Sequence, residues 1–62
     1  MCELTIYVLK NGLREKAMEG AVRLTVLDGS VRAEGIFGDS KEIAGRLAEV
    51  DIIGQQATIV AI

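Results

Sequence analysis

Cys2 is the only cysteine of the chain, and the chain has no histidine. If Met1 is retained, the thiol lies beside a backbone amide. If Met1 is removed, as is expected before a small residue, the thiol shares a carbon skeleton with a free α-amino group. In either form an adjacent sulfur and nitrogen are available to a transition metal. Because cysteine usually prefers the core, its place at the start of this chain is the best chemical clue to function.

A single thiolate cannot hold a divalent metal selectively, but two can if a twofold axis brings two copies of Cys2 together. One sulfur and one nitrogen from each chain form an S₂N₂ donor set, which favours a square-planar site with nickel and a tetrahedral site with zinc. Copper would outcompete nickel on intrinsic affinity. The thiol must lose its proton to bind, so metal uptake should release protons and weaken as the pH falls.

Both residues at this end also have interpretations without a metal. Cys2 is equally well explained as a terminal thiol that has no function. Glu3 offers a secondary carboxylate contact to a metal, although a solvated strand residue is the simpler interpretation, and its backbone nitrogen is a better candidate ligand than its side chain. The residues alone leave these alternatives open, and they predict no catalytic and no nucleic-acid-binding residue.

Length and composition predict one small domain over residues 1–62. Half of the 62 residues are hydrophobic, so the chain is not a disordered tail. A core this small barely offsets the entropy of ordering the chain, and one cysteine cannot form an intrachain disulfide. A metal, an oligomer or both must therefore add stability, and we expect a homodimer.

The charge pattern argues against several classes of function. Seven basic and nine acidic residues give a formal net charge of −2, and no basic run is present, so nucleic-acid binding is not expected. The two aromatic residues, Tyr7 and Phe37, are expected to pack in the core or in an interface rather than to stack on bases. No stretch suits a membrane span or a secretory signal, which predicts a cytoplasmic protein.

Enzymatic catalysis is not expected either. The chain has no histidine to act as a base near neutral pH and no paired carboxylates at a defined spacing. Without a positioned base, Cys2 is a poor nucleophile.

Regularly spaced turn residues predict an all-β fold, a small barrel or sandwich of short antiparallel strands. Glycines recur about every eight or nine residues. Asn11-Gly12 and Asp28-Gly29 are the dipeptides preferred in two-residue hairpins, where both central positions need positive φ. Gly38-Asp39 and Gly54-Gln55 are typical of looser turns.

Alternation of apolar and polar residues predicts which face each strand buries. In the first run, Leu4, Ile6 and Val8 are expected to face inward. In residues 21–27, the expected inward-facing residues are Val22, Leu24 and Val26. Val31 and Ala33 alternate with charged residues until Gly35, where we expect a bulge that redirects Ile36 and Phe37. The uncharged last run, 57–62, should pair with the first strand, be covered by a second subunit, or both.

The segment from Ser40 to Asp51 fits a helix or a strand nearly equally well. A helix would be capped by Ser40 and would align Ile43, Leu47 and Val50. A strand would turn Ile43 and Leu47 inward and then needs a change of parity near Ala48 and Glu49, before Val50 and Ile52. Gly45 mildly disfavours the helix.

Several short motifs, in their order along the chain, resemble the CooT family of small nickel-binding proteins, whose members include accessory proteins that help mature carbon monoxide dehydrogenase. The motifs are Met1-Cys2-Glu3, Tyr7-Val8-Leu9-Lys10 with Asn11-Gly12, Ile36-Phe37-Gly38, Lys41-Glu42, Gly45-Arg46-Leu47 and Glu49-Val50-Asp51. The resemblance covers essentially the whole chain, but only the Met1-Cys2 start is sharply specific.

The resemblance implies a homodimer of small β-barrels that binds one Ni²⁺ at the dimer interface, with Cys2 of each subunit as a ligand. It also implies that the 40–51 segment is a strand. Relatives often carry a histidine in the turn before the last strand, where this chain has Gln55-Gln56, and we assign no metal-binding role there. Relatives have also been labelled as RNA-binding, which the charge of this chain does not support.

The sequence therefore predicts a nickel-binding accessory protein, a metallochaperone or store, that serves the maturation of a nickel enzyme such as carbon monoxide dehydrogenase. Its expected partners are a second copy and the nickel enzyme or its maturation factors. An alternative is a protein-binding chaperone resembling HypC, in which the cysteine engages a partner enzyme or an iron centre. RNA binding is a weaker alternative.

Overall fold

The computed structural model describes residues 3–62, which form five β-strands and no helix within that range. The strands are β1 (Leu4–Lys10), β2 (Leu13–Val26), β3 (Ser30–Gly35), β4 (Ser40–Asp51) and β5 (Gln56–Ala61). They close into a barrel in the order β1-β2-β3-β4-β5. The prediction of a small all-β barrel is confirmed. No helix in this part of the chain is long and apolar enough to cross a membrane.

Strand directions divide the loops between the two ends of the barrel. Each strand runs antiparallel to the one before it, and β5 closes the barrel by pairing parallel with β1, with Ile6 opposite Ala57. The start of β1, the loop 27–29 and the turn 52–55 therefore share one end, here called the amino end. The loops 11–12 and 36–39 lie at the other, the carboxyl end. The expected pairing of the last run with the first strand is confirmed.

Hairpins are present at both predicted dipeptides, the first with a two-residue connection and the second with the three-residue loop 27–29. Asn11 and Gly12 have φ values of 52° and 79°, the doubly positive geometry that this turn requires. At the second hairpin the Leu27 N–H donates to the Ser30 carbonyl over 2.8 Å, and only Gly29 has a positive φ, of 82°. The sequence therefore predicted the position of both turns correctly, but the backbone conformation of the Asn11-Gly12 turn only.

The core is a single cluster of aliphatic side chains inside the barrel. Its buried members come from all five strands and are Ile6, Ala21, Val31, Ala33, Ile43, Ala57 and Ile59. Leu4 and Val8 pack against this cluster, so the predicted inward face of β1 is confirmed, as is that of β3. Burial of this cluster is the main term that holds the strands together.

The predicted inward face of β2 is only partly correct. Leu24 packs against the core, but Val22 is 42% exposed and Val26 is 63% exposed. A register shift between Ala21 and Arg23 is the reason, because a bulge changes which residues point inward. Ala21 takes the buried position instead, and Val26 lies where β2 ends.

The bulge expected at Gly35 lies on the opposite strand, and Gly35 instead begins a tight turn. Its N–H donates to the Asp39 carbonyl over 2.7 Å, and its carbonyl accepts the Gly38 N–H over 3.1 Å. The turn holds Phe37 away from the barrel, where it is 95% exposed. Of the two places expected for Phe37, the core is wrong, and an interface stays a prediction.

Residues 40–51 form a strand, so the helical alternative is wrong. Ile43 is buried and Leu47 packs on the core. A register shift between Leu47 and Glu49 supplies the change of parity that the strand interpretation required. Beyond it Val50 pairs with Ala57 but is 43% exposed, and Ile52 has left the strand and is 56% exposed. The expectation that both face inward is wrong.

Candidate functional site

The start of the described chain is fastened to the turn that precedes the last strand. β1 and β5 are parallel neighbours, with Thr5 opposite Gln56. In the turn just before β5, the Gln55 carbonyl accepts the Thr5 N–H over 2.9 Å. The amino end of the barrel therefore presents the beginning of the chain and the turn 52–55 side by side.

Hydrogen bonds within the turn 52–55 define its shape. The Asp51 carboxylate accepts the Gly54 N–H over 2.9 Å, and the Gln55 N–H donates to the Ile52 carbonyl over 3.2 Å. Gln55 has a φ of 55°, an uncommon conformation for a residue other than glycine. Such a conformation persists only where its surroundings over-determine it, so the turn is a well-defined structure beside the chain start.

Of the two predicted metal-site residues, Cys2 lies outside the described residues, and its role stays a prediction. Glu3 is exposed at the amino end. Its carboxylate lies over Gly20, where a Cβ on the glycine would be 3.3 Å from Glu3 Oε1. Within residues 3–62 no group of three or more His, Cys, Asp or Glu side chains could hold a metal ion. Glu3 thus belongs to no such group in the described part of its own chain.

The position at which relatives often carry a histidine is taken up by a polar surface cluster. Gln56 Oε1 accepts a hydrogen bond from Arg14 Nη2 over 2.6 Å. The same guanidinium lies over the Tyr7 ring, 3.9 Å from its centroid, in a cation–π contact. Tyr7 is therefore a partly buried surface residue, and the Gln56 side chain is engaged with Arg14.

The turn predicted at Gly54-Gln55 is present, but sequence reasoning missed the Asp51 cap and the exposure of Ile53 in the same turn. Ile53 is 98% exposed and lies between the Asp51 cap and the positive-φ Gln55. An Asp followed three residues later by Gly is a recognisable turn signal, since a short carboxylate can accept a backbone N–H nearby. The sequence therefore contains a signal for the Asp51 cap, but no signal for the exposure of Ile53.

Two shallow grooves lie elsewhere on the described surface. One, of about 290 Å³, is mostly apolar and lies between Val26, Leu27 and Ile62. The other, of about 340 Å³, lies between Lys16, Lys41 and Val8. Neither is lined by Glu3 or by the turn 52–55, although the first includes Leu27 and Gly29 of the loop 27–29.

Comparison with known proteins gives a family and, among solved structures, a similar fold. The family described as "CO dehydrogenase accessory protein CooT" matches residues 1–60. The crystal structure of a protein assigned as CooT from Carboxydothermus hydrogenoformans has a similar fold, with a TM-score of 0.86. The two sequences are 18% identical, and the match covers 98% of each chain. No curated protein matches.

Proposed function

Because this chain belongs to the CooT family of CO dehydrogenase accessory proteins, we propose that it binds Ni²⁺ and serves the maturation of a nickel enzyme such as carbon monoxide dehydrogenase. The resemblance seen in its short motifs is thereby confirmed at the level of the family. An accessory role follows from the family. Nickel as the cargo, Cys2 as its ligand and the homodimer are our proposals.

The observation that carries the proposal is the extent of the family match, which begins at residue 1 and so includes Cys2. The fold is compatible with it. The chain enters the barrel at an exposed end, next to the turn 52–55, and Glu3 is itself exposed. A terminal site of this kind is accessible both to a second copy and to an acceptor protein.

The donor chemistry of the chain suits nickel. Cysteine thiolate is a soft ligand, and the described residues of one chain contain no group of three or more His, Cys, Asp or Glu side chains that could hold a metal ion. Two copies of Cys2, each with a neighbouring backbone or terminal nitrogen, supply four donors. We propose at most a secondary contact from Glu3. We propose one Ni²⁺ per homodimer and a cytoplasmic location, where a free thiol is not driven into a disulfide.

The proposal is tested by titrating the purified protein with Ni²⁺ under reducing conditions. Thiolate-to-nickel charge-transfer absorbance should rise and saturate at one metal per two chains, and non-denaturing mass spectrometry should report the same ratio. Cys2→Ser should abolish the signal while the circular dichroism spectrum stays that of a folded barrel. Equal nickel uptake by Cys2→Ser would show that Cys2 is not the ligand.

A further inference from the structure

The hairpin between β1 and β2 holds the only asparagine of the chain, Asn11, followed directly by Gly12. Asparagine is a thermolabile residue, because the backbone nitrogen of the next residue can attack its side-chain amide. From the conformation of this turn we infer that Asn11 is a site of spontaneous modification in the folded protein, where its amide is converted to a carboxylate through a cyclic succinimide. The modification is independent of the proposed function.

The reaction needs only water as a co-reactant. The Gly12 nitrogen gives up its proton and forms a bond to the side-chain carbon Cγ of Asn11, and the side-chain nitrogen leaves with that proton as ammonia. Water then opens the ring at one of its two carbonyl carbons. Opening at Cγ gives aspartate, whereas opening at the main-chain carbon gives isoaspartate, in which the chain continues through the side chain. No atom is oxidised or reduced.

Closure of the five-membered ring fixes the backbone conformation of Asn11. The ring joins Cβ and the Gly12 nitrogen on one side of the Cα–C bond. These two atoms must therefore eclipse each other, which requires a ψ of about −120°, the value at the first central residue of a type II′ turn. The same position of a type II′ turn has a φ of about 60°. Asn11 already has a φ of 52°, so only its ψ has to change.

The turn can reach this conformation without disturbing the barrel. Type I′ and type II′ turns both connect two strands through two residues, so the flanking pair of Lys10 and Leu13 can stay in register. The two types differ by a rotation of the peptide plane between the central residues, which reverses the sign of φ at the second one. Gly12 now has a φ of 79°, and a glycine adopts either sign readily.

The surroundings of the turn leave this peptide plane free to rotate. Asn11 and Gly12 are both exposed, and a Cβ built on Gly12 would meet no atom within 4 Å. The side-chain hydrogen bonds found within residues 3–62 do not involve the Asn11 amide. The other hairpin differs, because Asp28 does not have a positive φ.

The test incubates the folded protein at 37 °C and pH 8 and follows its intact mass. Conversion of the amide to a carboxylate should raise the mass by about 1 Da, and peptide mapping should recover both aspartate and isoaspartate at position 11. Asn11→Asp should gain no mass. A parent protein that keeps its mass, or that yields aspartate without isoaspartate, would overturn the inference.

The rate in the unfolded chain shows whether the folded turn itself reacts. The same incubation in guanidinium chloride gives that rate, and the folded protein should react within about tenfold of it. A reaction that proceeds only through global unfolding would be about 100-fold slower or more, because only a small fraction of a folded domain is unfolded at equilibrium. A rate that slow would overturn the inference.

Asp28→Asn is the matched control, because it places the same dipeptide at an exposed position without a positive φ. Each rate in the folded protein is divided by the rate at the same position in guanidinium chloride. Position 28 of this variant should then react about tenfold more slowly than Asn11, since its backbone must also enter a strained conformation. Equal ratios at the two positions would show that the conformation of Asn11 does not promote the reaction, and would overturn the inference.

Discussion

Replacement of Gly45 by alanine tests whether the close approach of β4 and β5 is what allows the barrel to close. Gly45 has a φ of 147°, a conformation that side chains with a Cβ rarely adopt, and an added Cβ would collide with the carbonyl oxygen of Val60. The Gly45 N–H also donates to the Gly29 carbonyl over 3.0 Å. The backbone here cannot shift without disturbing both neighbouring strands.

The expected cost has two parts. The unfavourable backbone conformation costs an L-residue about 1–3 kcal/mol, and inserting an atom into a filled space costs about 1–3 kcal/mol more. A single core in a chain of this size supplies only about 3–5 kcal/mol of net stability. Gly45→Ala should therefore leave the barrel mostly unfolded, or folded only when a bound ligand or a second copy adds stability.

Gly38→Ala is the matched control. Gly38 also has a positive φ, of 87°, but a Cβ there would meet no atom within 4 Å. The Gly38→Ala variant should lose only the cost of the unfavourable backbone conformation, about 1–2 kcal/mol of unfolding free energy. Urea denaturation followed by far-ultraviolet circular dichroism, at one fixed protein concentration without metal, measures both free energies of unfolding. If the two variants lose the same stability, the collision with Val60 does not matter and the reasoning is refuted.

Two further predictions concern the turn and the metal. Asp51→Ala removes the acceptor of the Gly54 N–H and should lower the free energy of unfolding, measured by urea denaturation, by about 1 kcal/mol. Asp51→Asn keeps an acceptor oxygen and should lose less stability. Equal losses for the two variants would contradict the capping role. Nickel binding should weaken as the pH falls, because protons compete for the two Cys2 thiolates, and the apparent dissociation constant should rise by up to about 100-fold per pH unit. Absorbance titrations between pH 6 and 8 would measure it, and a pH-independent constant would exclude thiolate ligands.

The sequence by itself determined the local features of this protein. Period-two alternation identified the inward face of β1 and the buried Val31 and Ala33, because side chains of a strand point to alternate faces. The dipeptides Asn11-Gly12 and Asp28-Gly29 located both hairpins, since turn chemistry is set within a few residues. The short motifs that begin at Met1-Cys2 identified the family. All of these signals are written in neighbouring residues.

Other features were decided only by the tertiary structure. Bulges in β2 and β4 changed the parity of residues such as Val22, and local alternation cannot reveal where a bent strand passes from one neighbour to the next. The parallel pairing of β5 with β1 joins residues about 50 positions apart and places the turn 52–55 against the chain start. Closure of a barrel fixes the stagger of all its strands together. The surroundings of the chain start therefore depend on the whole barrel, although the residues that identify the family stand side by side in the sequence.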